Sequence, residues 1–418
     1  MSHPWQSFAQ SADGWRFEGV AAEDLVAQFG TPLYVYSLAA VRRHVDAYHQ
    51  HDFPEKAKLH YAVKANGNLA LLAEMARLGM GFDIVSGGEL ARVLAAGGAA
   101  ENIVFSGVAK TDAEIDAALA AGIGCFNVES REELQILAAR AQALGTTAPV
   151  ALRVNPDVDA NTHPYISTGL KDNKFGVAIE EAEALYHQAL ALPALRVRGI
   201  SCHIGSQIVN LDPFAKAMDS VLALADRLLA QGVPLEFLDM GGGLGVANSE
   251  DMAVATPGEL VAMLFAKLGT RPLALHLQPG RSIVANAGAL LTQIVLVKTQ
   301  GGKRFIMLDA GMNDYIRPAL YQVRPAMRNL SRAHNNTHAD IVGPVCETGD
   351  TFARDYPLDG VRGDLVAIAG TGAYGMAMAS TYNSRPLPAE VLVDQGSARL
   401  IRQRQRVEDI WQQEIASP

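Results

Sequence analysis

Six segments of the chain carry groups suited to chemistry: Lys64 in HYAVKANGN, His203 in SCHIGSQ, the glycines of DMGGGLG, Arg281 in LQPGRS, Arg317 with Tyr321 in MNDYIRPALY, and Cys346 beside Glu347 in GPVCETGD. A lysine that ends an apolar run is costly to bury unless it finds a partner or gives up its charge. Schiff-base chemistry is one way to give up the charge, and snorkelling to the rim of a domain is another; Lys64 by itself fits both. The glycine run offers backbone N–H groups with no side chains in the way, as phosphate sites do, although a plain turn has the same composition. Strand alternation puts His203 on the face of Ser201 and opposite Cys202. It is either a core histidine or, with Gly205 and Ser206 following, a flat ring that covers a cofactor while the hydroxyl reaches its phosphate. Cys346 stands near Asp350 on a glycine-flanked turn, which suits an exposed thiol that moves protons as well as a buried structural one. Arg317 and Tyr321 are one helical turn apart, so both can face one ligand. An arginine fork suits a carboxylate, and a surface ion pair would use the same residue.

Such groups need a scaffold to bring them together. From about residue 55 to 280, short apolar runs alternate with Ala/Leu-rich segments whose apolar residues recur at three and four, the pattern of repeated βα units. Strands are expected at 59–64, 81–85, 102–106, 125–128, 150–154, 198–203, 236–240 and 274–278. Eight strands with intervening helices predict an α/β chain with a (β/α)8 TIM-like barrel over 38–280, whose active site lies at the carboxyl ends of the strands. Polar residues gather there: Lys64, Asp83, Ser86, Asn127, Arg153, Asn155, His203, Gly241 to Gly243, Gln278 and Arg281. Beyond 281 the runs IVLVKT, RFIMLDAG, DIVGPVCETGD, DLVAIAG and AEVLVDQG, separated by turns, predict a mainly β domain over 281–418, joined by residues 1–37 with their strand-like PLYVYS.

At 418 residues the chain can bury a large core. With 49% hydrophobic and 19% charged residues and no uninterrupted apolar stretch of about 18, a soluble protein is expected and a membrane span is not. The opening MSHPWQSFAQSADGW lacks the basic and apolar regions of a secretory signal. A net charge of -9 argues against broad nucleic-acid binding. The three cysteines, Cys125, Cys202 and Cys346, are too few and scattered for a disulfide framework or a zinc cluster, so no metal is expected and a reducing cytoplasm is.

Taken together, the motifs resemble the fold type III pyridoxal-phosphate decarboxylases over nearly the whole chain, from GTPLYVYS through YAVKAN, FDIVSGGEL, HPYISTGLKDNKFG, CHIGSQ, DMGGGLG, PGR, MNDYIRPALY and GPVCETGD to GAYGMAMASTYNSRPLPAEVLV. YAVKAN, CHIGSQ and GGG are similar to motifs found across that family, whereas HPYISTG, IRPALY and CETGD are similar to its diaminopimelate branch. The resemblance implies pyridoxal 5'-phosphate as cofactor and decarboxylation of meso-2,6-diaminopimelate to L-lysine and CO2, the last step of lysine biosynthesis. Lys64 would carry the cofactor and His203 would stack on its ring. Ser206, Gly242, Gly243 and the loop Gln278, Gly280, Arg281 would hold it, chiefly at the phosphate. Arg281, Arg317 and Tyr321 would bind substrate carboxylates, Glu347 the distal amine, and Tyr374 both cofactor and substrate. Cys346 of the partner subunit would protonate the product, which implies a homodimer with shared sites. D-lysine, D-ornithine and carboxynorspermidine are alternative substrates on such a scaffold, and a cofactor-binding protein without turnover would lack the β domain. One departure stands out: LQPGRS has Gln278 where the family pattern has a glutamate that pairs with the pyridine nitrogen. Slower decarboxylation than a glutamate version is the expectation.

Overall fold

The computed structural model describes residues 3–49, 57–159, 174–332 and 337–415, so most of the HPYISTGLKDNKFG motif lies outside the described residues. The chain divides into two compact units. One comprises residues 46–245 and 254–282; the other comprises 1–45, 246–253 and 283–418.

The first unit is the expected barrel. Its eight parallel strands are Lys58–Ala62, Gly81–Ile84, Ile103–Phe105, Cys125–Val128, Ala148–Asn155, Leu195–Ser201, Phe237–Asp239 and Ala274–Leu277. They pair in chain order, and the last returns to the first with His276 opposite Lys58 and Leu277 opposite Leu59. A short strand, Val177–Ala178, adds to Val154 and Asn155. Five of the helices between begin where the sequence supplies an oxygen to the free N–H groups of the first turn. Asn68 caps Leu69–Arg77, Ser86 caps Gly87–Ala95, and Ser130 caps Arg131–Ala143, while Thr111 with Glu114 and Thr256 with Glu259 form capping boxes. Among the described residues no helix is long and apolar enough to cross a membrane, and no group of three or more His, Cys, Asp or Glu could hold a metal ion.

Two strands end two residues earlier than the sequence suggests, because the chain must leave the sheet to reach its helices. The first stops at Ala62, and Lys64 stands on a 3-10 turn, Val63–Ala65. Tyr61 holds that turn by donating to the Asn66 carbonyl at 3.0 Å. The sixth stops at Ser201, so His203 belongs to the loop that follows and not to the strand. Strand alternation therefore does not set its direction.

In the second unit, Leu33–Ser37 is fully buried at the middle of a sheet, antiparallel to Gly288–Gln300 and parallel to Ala389–Asp394. Lys303–Leu308, His338–Val342 and Thr351–Pro357 extend that sheet on one side and Ser397–Arg402 on the other. Leu365–Ala369 also pairs with Gly288–Gln300, and Met327–Asn329 pairs with Leu365–Ala369. Alternate residues Leu33, Val35, Ala389, Val391 and Val393 pack with Leu291, Trp5, Phe17 and Leu25 in one apolar cluster. This burial explains why a strand near the start of the chain joins those near its end.

Candidate active site

Lys64 does not carry its charge alone. Its Nζ lies 3.0 Å from Oδ2 of Asp83, a fully buried carboxylate at the next strand's end. Ser106 donates to the other Asp83 oxygen at 2.6 Å, and Asn127 donates to Ser106 at 3.1 Å. Three members of the polar ring expected from strand ends, Lys64, Asp83 and Asn127, are thus joined by hydrogen bonds through Ser106. Next to it, Glu89 accepts the Val85 N–H at 2.7 Å, and burial pushes its pKa up to about 7.

The loops after strands six, seven and eight are joined backbone to backbone. Ile208 donates to the Gly243 carbonyl at 3.0 Å, Gly245 donates to Ile208 at 2.8 Å, and Gln278 donates to Gly241 at 2.7 Å. Glycine is required because these chains run so close. At Gly241, in the left-handed region with φ 68°, a Cβ would meet the Cys202 carbonyl oxygen at 2.5 Å. At Gly242 and Gly243 it would strike the carbonyl oxygens of Gln278 and Gly205 inside 3.0 Å. The Pro279–Gly280 segment in turn lies against the lysine turn. Ala62 donates to the Pro279 carbonyl at 3.0 Å, and a Cβ on Gly280 would stand 3.0 Å from those of Ala62 and Ala65.

Two side-chain pairs complete this rim. Arg281, buried, donates from Nη2 to Ser206 Oγ at 2.9 Å, with Nε at 3.3 Å. The Gly242 N–H donates to His203 Nδ1 at 3.2 Å. That N–H is therefore spent on orienting the imidazole and is not spare for a phosphate. Burial, followed by the charges of Arg153 and Lys64, pushes the His203 pKa well below its usual range. The ring is neutral, and with Nδ1 accepting, its proton sits on Nε2. A neutral flat ring, a glycine cradle shaped by backbone contacts, a serine–arginine pair and a lysine at the neighbouring strand end fit a planar phosphorylated aldehyde. Lys64, His203, Ser206, Gly243, Gly280 and Arg281 are the residues that could hold it.

The remaining predicted residues belong to the second unit. Arg317, buried at the start of the short helix Arg317–Tyr321, has its guanidinium 5.7 Å from the Tyr321 ring and 5.9 Å from the Tyr374 ring. Its Nε has no hydrogen-bond partner among the described residues. A cation enclosed by two aromatic faces with an unused donor is a ready site for an anion. Cys346 is an exposed free thiol whose N–H donates to Asn383 Oδ1 at 3.0 Å. Asp350 shapes its loop, accepting from Met312 and Val345 N–H groups at 2.6 Å each. Glu347 hydrogen-bonds the Tyr382 hydroxyl, and its charge holds that phenol above its ordinary pKa.

Sequence reading missed Asp239, which is fully buried at the end of strand seven. It accepts the Gly241 N–H at 2.9 Å and the Gln278 Nε2 at 2.7 Å. Burial pushes its pKa up to about 7. Its position at the strand end, two residues before the glycine run, is the available signal.

Residues 38–285 match the family described as pyridoxal-dependent decarboxylase, pyridoxal binding domain. The chain is 50% identical over 405 residues to the diaminopimelate decarboxylase of Vibrio cholerae, covering 96% of each. It is also 50% identical over 400 residues to that of Neisseria meningitidis, again covering 96% of each. Among solved structures, diaminopimelate decarboxylase from Helicobacter pylori complexed with L-lysine superposes with a TM-score of 0.91 at 41% identity, covering 94% of this chain and 98% of the other. With this agreement in sequence and fold, the chain belongs to the pyridoxal-dependent decarboxylases and, within them, to the diaminopimelate decarboxylases.

Proposed function

We propose that this protein decarboxylates meso-2,6-diaminopimelate to L-lysine and CO2, using pyridoxal 5'-phosphate carried on Lys64. The observation that carries the reading is the Lys64–Asp83 pair at the strand end, beside the Gly280 segment and the glycine cradle. When bound, the cofactor supplies an electron sink for the pair left by departing CO2. Asp83, anchored by Ser106, fixes the Lys64 amine and can take the proton that an amine must lose before it attacks an aldehyde. His203 offers a neutral ring held by Gly242, and the Ser206–Arg281 pair offers a hydroxyl and a cation to the phosphate.

In this reading Arg317 takes a substrate carboxylate on the donor left open between Tyr321 and Tyr374, and Arg281 assists. Glu347 takes the distal ammonium, and the Cys346 thiol delivers a proton to the carbon that lost CO2. Fixing both amino-acid ends sets the length of the diacid that aligns its scissile bond. Exposure of Cys346 and of the Glu347 beside it supports presentation to a second copy, so the working form is a homodimer in which Cys346 of the partner subunit completes each site. The three free cysteines suit a cytoplasmic setting.

The test is incubation with meso-diaminopimelate, D-lysine, D-ornithine and carboxynorspermidine in parallel, with CO2 and L-lysine quantified and Lys64→Ala as control. L-lysine from diaminopimelate in the parent protein alone is the expected result. Faster CO2 release from another substrate, or equal lysine from the control, would overturn the assignment, and a monomer in sedimentation at assay concentration would overturn the shared site.

A further inference from the structure

Hydrogen bonds link polar side chains from several barrel strands: Lys64 to Asp83, Asp83 to Ser106, Ser106 to Asn127, and Gln278 to Asp239. Asn127 also hydrogen-bonds Asp239, which connects the two halves. The set contains two fully buried carboxylates, Asp83 and Asp239. Asp83 is committed at both oxygens to Lys64 and Ser106. Asp239 receives the Gly241 N–H on Oδ1 and the Gln278 amide nitrogen on Oδ2.

A carboxylate accepts and does not donate, so it decides which way a neighbouring amide faces. Gln278 must turn Nε2 toward Asp239, and its Oε1 is thereby fixed on the other arm. The inference rests on the proposed function, with Gln278 taking the place beside the cofactor's ring nitrogen that the family resemblance implies for position 278. We propose that Asp239 is a positioning residue for that nitrogen. It locks the Gln278 amide with its oxygen offered to the ring, and it places behind that amide, one hydrogen bond away, the negative charge that Gln278 lacks.

An acceptor facing a ring nitrogen favours its protonated form, and a carboxylate at one remove adds attraction that an enclosed site screens weakly. Burial makes the Asp239 charge costly and pushes its pKa up to about 7, and a protonated ring nearby would offset that cost. Loss of a carboxylate at 278 therefore does not leave the ring nitrogen without an anion.

The test uses holoenzyme loaded with cofactor carrying 15N at the ring nitrogen, because the 15N shift separates a protonated from an unprotonated ring. The parent is expected to show the protonated form at neutral pH. Asp239→Asn puts an amide donor opposite Gln278 Nε2, so Gln278 turns over and offers donors to the ring. Its proton affinity then falls by roughly 1–3 pH units and the protonated signal is lost. Gln278→Met removes the acceptor while leaving Asp239 intact, and gives the same loss even if Asp239→Asn does not fold. The exchange Asp239→Asn with Gln278→Glu rebuilds the pair in reverse and restores the protonated signal. A ring that stays protonated in either single variant that folds, or an exchange that restores nothing, overturns the proposal while leaving the cofactor assignment standing. Absence of any bound-cofactor resonance in the parent would instead remove that assignment, and the proposal with it.

Discussion

Replacing Gly242 by alanine adds one carbon at a place where nothing can yield cheaply. The new Cβ would lie inside 3.0 Å of the Gln278 carbonyl oxygen, and ordinary contact begins near 3.4 Å. Both partners are backbone, so no rotamer change relieves the clash and one loop must move. Overpacking of this kind costs about 1–3 kcal/mol. Movement of residue 242 also loosens its N–H bond to His203 Nδ1, worth about 0.5–1.5 kcal/mol. Together these amount to about 1.5–4.5 kcal/mol. If the cofactor-free loop relaxes, the cost falls on the loaded state, and at about 1.4 kcal/mol per tenfold the affinity for pyridoxal phosphate drops roughly 10- to 1,500-fold. Titration of cofactor-free protein followed by absorbance measures this, with circular dichroism confirming that the barrel is folded. Affinity within threefold of the parent, at an unchanged melting temperature, would refute the argument that these two loops are held in contact by the absence of a side chain.

Gln278→Glu returns a carboxylate directly to the ring-nitrogen position and is expected to raise kcat with cofactor bound; unchanged turnover would show that Gln278 costs nothing. Burial pushes His60 down to about 4 from 6.5, so the unfolded chain binds more protons between those values and stability rises with pH across that window. About 2 kcal/mol of this contribution is lost by pH 5, and His60→Phe should flatten the acid fall in melting temperature; an identical fall in parent and variant would contradict it. Asp350→Asn turns one acceptor for the Met312 and Val345 N–H groups into a donor, a change of about 1–3 kcal/mol that loosens the CETGD loop. A raised KM for diaminopimelate at full cofactor content is the expected result, and an unaltered KM would mean that the clamp does not shape the site.

The barrel was legible because its strands and helices differ in period, and the polar residues that follow each apolar run repeat with it. Side-chain partners were not legible, since they join segments that periodicity treats as separate. Lys64 is the clearest case: the sequence exposes the cost of its charge, and the structure supplies Asp83 from the next βα unit. Gly242 reads as one more phosphate donor until His203, from a different loop, takes its N–H. Gln278 is visible as a missing carboxylate, whereas the nearby carboxylate that faces it lies on another strand. His203 was assigned by alternation to a strand that ends at Ser201, because an apolar run does not mark where the sheet releases the chain. Arg317 was paired with Tyr321 by spacing, but Tyr374, which also lines its guanidinium, comes from a different segment.

Reduction of the loaded protein with borohydride, followed by proteolysis and peptide mass spectrometry, tests the central claim most directly. The account predicts a phosphopyridoxyl group on the peptide containing Lys64 and on no other lysine, and its disappearance in Lys64→Ala. Label on a different lysine, or its persistence in that variant, would contradict it.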